Sequence, residues 1–200
     1  MPLVIAGGHS VTDYPKEDLT LYAKCAFTIG VNGAIFDFPC DVCIMLDPIN
    51  WFPTLAQKIK ELNIPVVCRP YPENKSFGLD LIEIGSSAIH KYPLSGMAAC
   101  KLSDAMSQGG RPSYVLGIDA TDGNYKGYQT CNENDPHSAE PLTDYEKMGL
   151  SNTINLSMRS RVSCWPKLSK LPKIEKVIER VDSKLVKLAW IRANAKEVLS

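Results

Sequence analysis

Leu3-Val4-Ile5-Ala6-Gly7-Gly8-His9-Ser10 is the stretch that decides the fold. Four apolar residues in a row read as a buried strand, and the two glycines after them turn the chain sharply. Glycine has no Cβ and accepts positive φ, so backbone N–H groups in such a turn can approach a phosphate or a ribose. The same residues serve equally well as a tight turn without a ligand. The spacing is neither G-x-G-x-x-G nor a P-loop, whose lysine is missing.

Working outward, the pattern repeats. An apolar run at 26–31 stops at Asn32-Gly33, and another at 42–46 stops at Asp47-Pro48. Residues 51–62 carry Phe52, Leu55, Ala56, Ile59 and Leu62 at helical spacing, with Asn63 and Pro65 as the stop before a strand at 65–68. Residues 70–78 read as loop, 81–84 as a short strand and 95–108 as a small-residue helix opened by Ser95-Gly96. Gly109-Gly110 closes that helix, and a strand at 113–116 ends in Gly117-Ile118-Asp119. Residues 120–143 are rich in Gly, Asn and Asp and read as a lid or binding loop, or else as a disordered segment. A helix at 142–156, a strand at 161–164 and a long amphipathic helix at 172–199 complete the expectation, the last with Ile174, Val177, Ile178, Val181, Leu185, Leu188 and Ile191 on one face.

Alternating strands and helices predict a single Rossmann-like α/β domain, with a mainly parallel sheet covered on both faces and a long C-terminal helix. Residues 1–166 form its nucleotide-binding body with the lid at 120–143, and residues 167–200 a basic helix packed on the body or on a partner. Sheets of this kind hold ligands outside the carboxyl ends of their strands, where the polar residues above collect.

Lys plus Arg equals Asp plus Glu, at 22 each, so the molecule as a whole has no field that would draw in DNA or a membrane. Residues 167–200 nevertheless carry nine basic and four acidic side chains, which leaves the body with a net charge of −5. That tail reads as a solvated packing face, with a dimer contact, a membrane surface or a nucleic acid as the sharper alternatives. Seven cysteines without a disulfide-framework spacing, and an opening strand in place of a leader, predict reduced thiols and a cytoplasmic location. No apolar stretch approaches the roughly 20 residues that a membrane-spanning helix needs.

Several residues carry candidate chemistry. Ser95-Gly96 at a helix start can offer N–H groups to an anion, although Ser95 also fits a plain N-cap. Cys40-x-x-Cys43 has no second pair to complete a zinc site, so these read as core or loop cysteines and no metal site is expected. His137, in the polar loop, is the best-placed general base; His9 lies in the glycine turn and His90 reads as surface. Asp47, Asp119 and Asp122 can cap loops or accept ribose hydroxyls, and can alternatively gather Mg²⁺.

Read together, these landmarks resemble the bacterial lipo-oligosaccharide sialyltransferases (glycosyltransferase family 42 type) and the related superfamily that includes flagellin-modifying transferases and archaeal hydroxymethylpterin pyrophosphokinases. Val4 to Ser10 stand where that family opens V-I-x-A-G-N-G-P-S-L, Asn32 and Asp47-Pro48 match its second and third strand ends, and Ser95 to Asp119 follow its Ser-Gly helix and Gly-Ile-Asp strand end. His137, then Ser163-Cys164-Trp165-Pro166, keep the order of its later landmarks. Tyr92 replaces an arginine of the sialyltransferases, and the tyrosine after Gly-Ile-Asp is absent, with Tyr125 or Tyr128 as substitutes.

The resemblance implies a nucleotide-sugar transferase, with a CMP-sugar as donor and no cofactor. In it Gly7, Gly8, His9, Ser10, Asn32, Asp47, Ser95, Gly96 and Asp119 hold the nucleotide, while His137, with Tyr125 and Tyr128, serves the chemistry. It also leaves open a Mg²⁺-dependent pyrophosphokinase with Asp47, Asp119 and Asp122 at the metal, and a noncatalytic nucleotide binder.

Overall fold

The computed structural model describes residues 1–85, 94–107, 111–119 and 142–200. Seven strands form one sheet in the order β5-β4-β3-β2-β1-β6-β7: β1 Pro2–Ile5, β2 Phe27–Val31, β3 Val42–Ile44, β4 Val66–Cys68, β5 Leu81–Glu83, β6 Ser113–Leu116 and β7 Thr153–Asn155. Every pairing is parallel. The chain steps outward from β1 to β5, then returns to lay β6 on the other side of β1. The sequence is therefore an α/β, Rossmann-like domain, as its alternating pattern predicts.

Strand side chains alternate between two cores because successive Cβ atoms point to opposite faces. Val4, Ala6, Ile44, Leu46, Val67 and Val115 face the core beneath α3 (Ser95–Met106), α4 (Leu142–Lys147) and α5 (Val181–Val198). On the opposite face, Leu3, Ile5, Tyr114 and Leu116 pack with α1 (Lys16–Cys25), and Cys43, Met45, Val66 and Cys68 pack with α2 (Pro53–Leu62). Burial on both faces is why these strands read as continuous apolar runs. The start and stop of α2 follow its sequence: Pro53 needs no N–H partner in the first turn, and Asn63 takes the left-handed conformation that ends the helix.

Four expectations need correction. Residues 142–156 are not one helix: α4 ends by Lys147, Gly149 turns the chain at φ +61, and the β-branched Thr153 and Ile154 join the sheet as β7. No strand forms at 161–164, although Val162 is buried. The C-terminal helix begins only at Val181, after a separate 3-10 turn at Ile174–Lys176, so the seven apolar residues from Ile174 to Ile191 do not share a face; Val177 and Ile191 are buried while Ile178, Val181 and Leu185 are exposed. Within the 70–78 loop, Pro72–Phe77 winds into a 3-10 turn. A fifth difference is an omission: α1 is a full helix, with Leu19 and Ala23 buried and Tyr22 partly buried beside them, too narrow an apolar stripe to stand out in the sequence.

Candidate functional site

The return from β5 to β6 makes β1 and β6 neighbours, and their carboxyl ends open on the reversal point of the sheet. Register fixes what meets there. Ile5 pairs with Gly30 on one side and Leu116 on the other, so two residues on Gly7 is level with Asn32 and Ile118. Across β3 and β4, Ile44 pairs with Val67, which brings Arg69 level with Leu46. Gly7 to Ser10, Asn32, Asp47, Asp119 and, through its bond to Leu46, Ser95 thus belong to one edge.

The glycine turn is clamped to the end of β6. Gly8 N–H donates to the Gly117 carbonyl at 2.9 Å, Gly117 N–H donates to Ser10 Oγ at 3.0 Å, and Ser10 N–H donates to Asp119 Oδ2 at 2.7 Å. The approach is so close that a Cβ on Gly8 would lie 2.5 Å from the Gly117 oxygen and 2.6 Å from Asp119 Oδ2. Gly117 itself sits at φ +79, and a Cβ there would come within 2.3 Å of the Ala6 carbonyl oxygen. Both glycines are therefore demanded by contact between two strand ends. The side chain of Asp119, 2% exposed, takes up the Ser10 N–H that an anion at this turn would otherwise use. Its other oxygen, Oδ1, is buried with no partner among the described residues. His9 projects into solvent from this turn.

Asn32 opens a 3-10 turn at φ 48, in the left-handed region that asparagine tolerates better than most residues. Its side-chain oxygen is buried and has no partner among the described residues. Asp47 follows β3 and is half-buried. Ser95 is not the N-cap of α3. That position belongs to Leu94, which makes no side-chain cap, and Ser95 Oγ instead accepts the Leu46 N–H at 2.9 Å. The serine ties the start of α3 to the end of β3, with Gly96 and Met97 buried behind it. The positive end of the α3 dipole consequently lies at the carboxyl edge of the sheet.

Behind the β6 end stands a buried polar brace absent from the sequence expectations. The Ile118 carbonyl accepts from Asn155 Nδ2 at 3.3 Å and from Ser160 Oγ at 2.9 Å, Ser157 N–H donates to Asn155 Oδ1 at 3.0 Å, and Arg161 N–H donates to the Asp119 carbonyl at 2.8 Å. Its sequence signal was Asn155, Ser157 and Ser160, polar residues that follow the β-branched Thr153 and Ile154. Arg69, a buried cation at the end of β4, was likewise missed because it precedes Pro70 and reads as the start of a loop.

No family model, curated protein or solved structure matches this chain. His137, Tyr125, Tyr128, Asp122 and His90 lie outside the described residues. Among the described residues no three His, Cys, Asp or Glu side chains gather as a metal site. Cys43 is a core thiol of β3, its pKa pushed up to about 12 by burial, and Cys40 is likewise held protonated by burial. No helix among the described residues is long and apolar enough to cross a membrane.

Proposed function

We propose that this chain is a nucleotide-sugar-dependent transferase whose donor nucleotide lies outside the carboxyl ends of β1, β2, β3 and β6. The observation that carries this reading is the strand order. Open parallel sheets bind ligands where the direction of strand addition reverses, and here the reversal falls between β1 and β6.

The two N–H-rich turns at this edge take different parts. At Ser10 the acceptor is already a carboxylate, whose charge disfavours a second anion beside it. Asp119 therefore acts as a positioning residue that fixes the glycine turn. The donor phosphates go to the start of α3, at Ser95-Gly96, where the helix dipole and the nearby Arg69 supply positive potential. Asn32 and Asp47 lie between and recognise the nucleoside.

In the transfer step the acceptor hydroxyl oxygen attacks the anomeric carbon. His137 takes the hydroxyl proton, and the bond to the nucleotide oxygen breaks with its electron pair leaving on the phosphate. Without a base a neutral hydroxyl is a poor nucleophile. His137→Ala is expected to lower turnover about 10²- to 10⁴-fold.

The first experiment is a thermal-shift series with CMP, UDP, GDP, ADP and ATP. A bound nucleotide at 100 times its Kd stabilises the fold by about 2.7 kcal/mol, a rise of roughly 5–10 °C for a chain of this size. A cytidine nucleotide is expected to give the largest rise. If none of the five moves the melting temperature, the nucleotide reading fails. If ATP is consumed and EDTA abolishes the turnover, the chain is a pyrophosphoryl transferase instead.

A further inference from the structure

Helix α5 is packed inside out along its first half. Its two inward lysines are held by charge: Lys184 Nζ donates to Asp41 Oδ2 and to the Lys24 carbonyl, both at 3.0 Å, and Lys187 Nζ lies 2.8 Å from Glu179 Oε2. Leu188 packs against the core, but the other apolar side chains of the same turns point outward, Val181 being 73% exposed, Leu185 60% and Val186 68%. Further along, Ile191, Ala195 and Leu199 enter the core. A helix that satisfies lysines against its own domain and turns valines and leucine to solvent has an outer face suited to another surface.

That outer face is symmetric about its middle. Asp182, Leu185, Val186, Ala189, Arg192, Ala193 and Lys196 are all exposed. Asp182, Ala189 and Lys196 recur every seven residues, two helical turns apart, and so lie in one row. If a second copy of the helix is laid antiparallel with the two-fold axis through Ala189, Asp182 of each copy meets Lys196 of the other. Leu185 then meets Ala193, and Val186 meets the aliphatic stem of Arg192, whose guanidinium is held by Asp80. Ala189 meets its own equivalent, and its small side chain lets the two backbones approach. The acid lies at one end of the row and the base at the other, so the face complements itself only in the antiparallel sense, as a closed two-fold interface requires.

We propose that the outer face of α5 is a homodimer interface, an antiparallel helix pair centred on Ala189 and closed at both ends by Asp182 with Lys196. The contact runs for about 21 Å along the helices. It is independent of the nucleotide reading.

Sedimentation equilibrium of the full chain, from about 1 to 100 µM, reads the dimer constant directly. The proposal expects a concentration-dependent dimer. Asp182→Lys and Lys196→Asp each place like charges at both ends of the pair, and each is expected to weaken dimerisation at least about tenfold. The double variant, Asp182→Lys with Lys196→Asp, restores it. The double variant also carries both charges that oppose the helix dipole, so recovery of the dimer separates contact across the axis from any loss of helix stability. Both side chains are exposed, and far-UV circular dichroism checks that the variants keep their helices. A monomer throughout the range overturns the proposal, as does a dimer indifferent to the single reversals or one that the double variant does not recover. An outer face covered by some other protein gives the first of these results.

Discussion

The glycine turn after β1 and the serine-glycine start of α3 look alike in sequence, both being small polar segments where a strand edge would meet a phosphate. In the fold they differ. The first has been closed from within: the Ser10 N–H is taken by Asp119, and Gly8 has no room even for a methyl group. At the second, no side chain among the described residues caps the helix N-terminus, and Ser95 Oγ bonds sideways to Leu46. A glycine before a helix marks a close approach of backbone, and the partner in that approach can be another strand as readily as a ligand.

Substitutions at the two turns should separate these roles. The largest effect is expected at Gly117→Ala, where a left-handed backbone and a 2.3 Å approach to the Ala6 oxygen combine; a loss of about 3 kcal/mol or more in denaturant unfolding follows from strain plus overpacking. A loss under about 1 kcal/mol would mean that the strand ends yield easily and that the turn is not clamped. Next comes Asp119→Ala, which leaves the Ser10 N–H buried without its acceptor and should cost about 1–3 kcal/mol, while Asp119→Asn retains an acceptor and costs less. Ser95→Ala removes the acceptor of the buried Leu46 N–H and is expected to cost about 1–2 kcal/mol. If phosphates bind at α3, it should weaken nucleotide binding more than Asp119→Asn does, as read by titration calorimetry.

The smallest effect belongs to a surface carboxylate used as a control. Asp80 is held below its ordinary pKa of 3.8 chiefly by hydrogen bonds from Arg192. A depressed carboxyl stabilises the fold above its unfolded pKa and loses that contribution as pH falls through the folded value. Because the pair is exposed, Asp80→Asn should change stability by under about 1 kcal/mol at neutral pH, and by nothing once the pH is well below 3.8. An Asp80 effect as large as that of Asp119 would erase the distinction between a surface ion pair and a buried hydrogen bond.

How much of this was legible depended on where each residue finds its partner. β1 to β6, α2 and α3 could be read because their apolar periods and stops are local: Asn63 ends α2 where its sequence says it should. β7 could not be read, since Thr153 to Asn155 become a strand only by pairing with β6, and the preceding apolar residues suggest a longer helix. The phase of α5 was hidden for the same reason, as only the fold brings Asp41 and Glu179 to its lysines. At the edge of the sheet the positions of Asn32, Asp47 and Ser95 were legible as strand ends or helix starts. The clamp between Ser10 and Asp119, the brace from Asn155 and Ser160, and Arg69 depended on strand order and were not.

Ser10 and Asp119 are 109 residues apart in the chain, yet share one short hydrogen bond. During synthesis at 5–20 residues per second, the glycine turn must wait roughly 5–20 s for its carboxylate to be made. The glycine turn is thus made well before the residue that finishes it, and no fragment ending before β6 can carry a mature crevice.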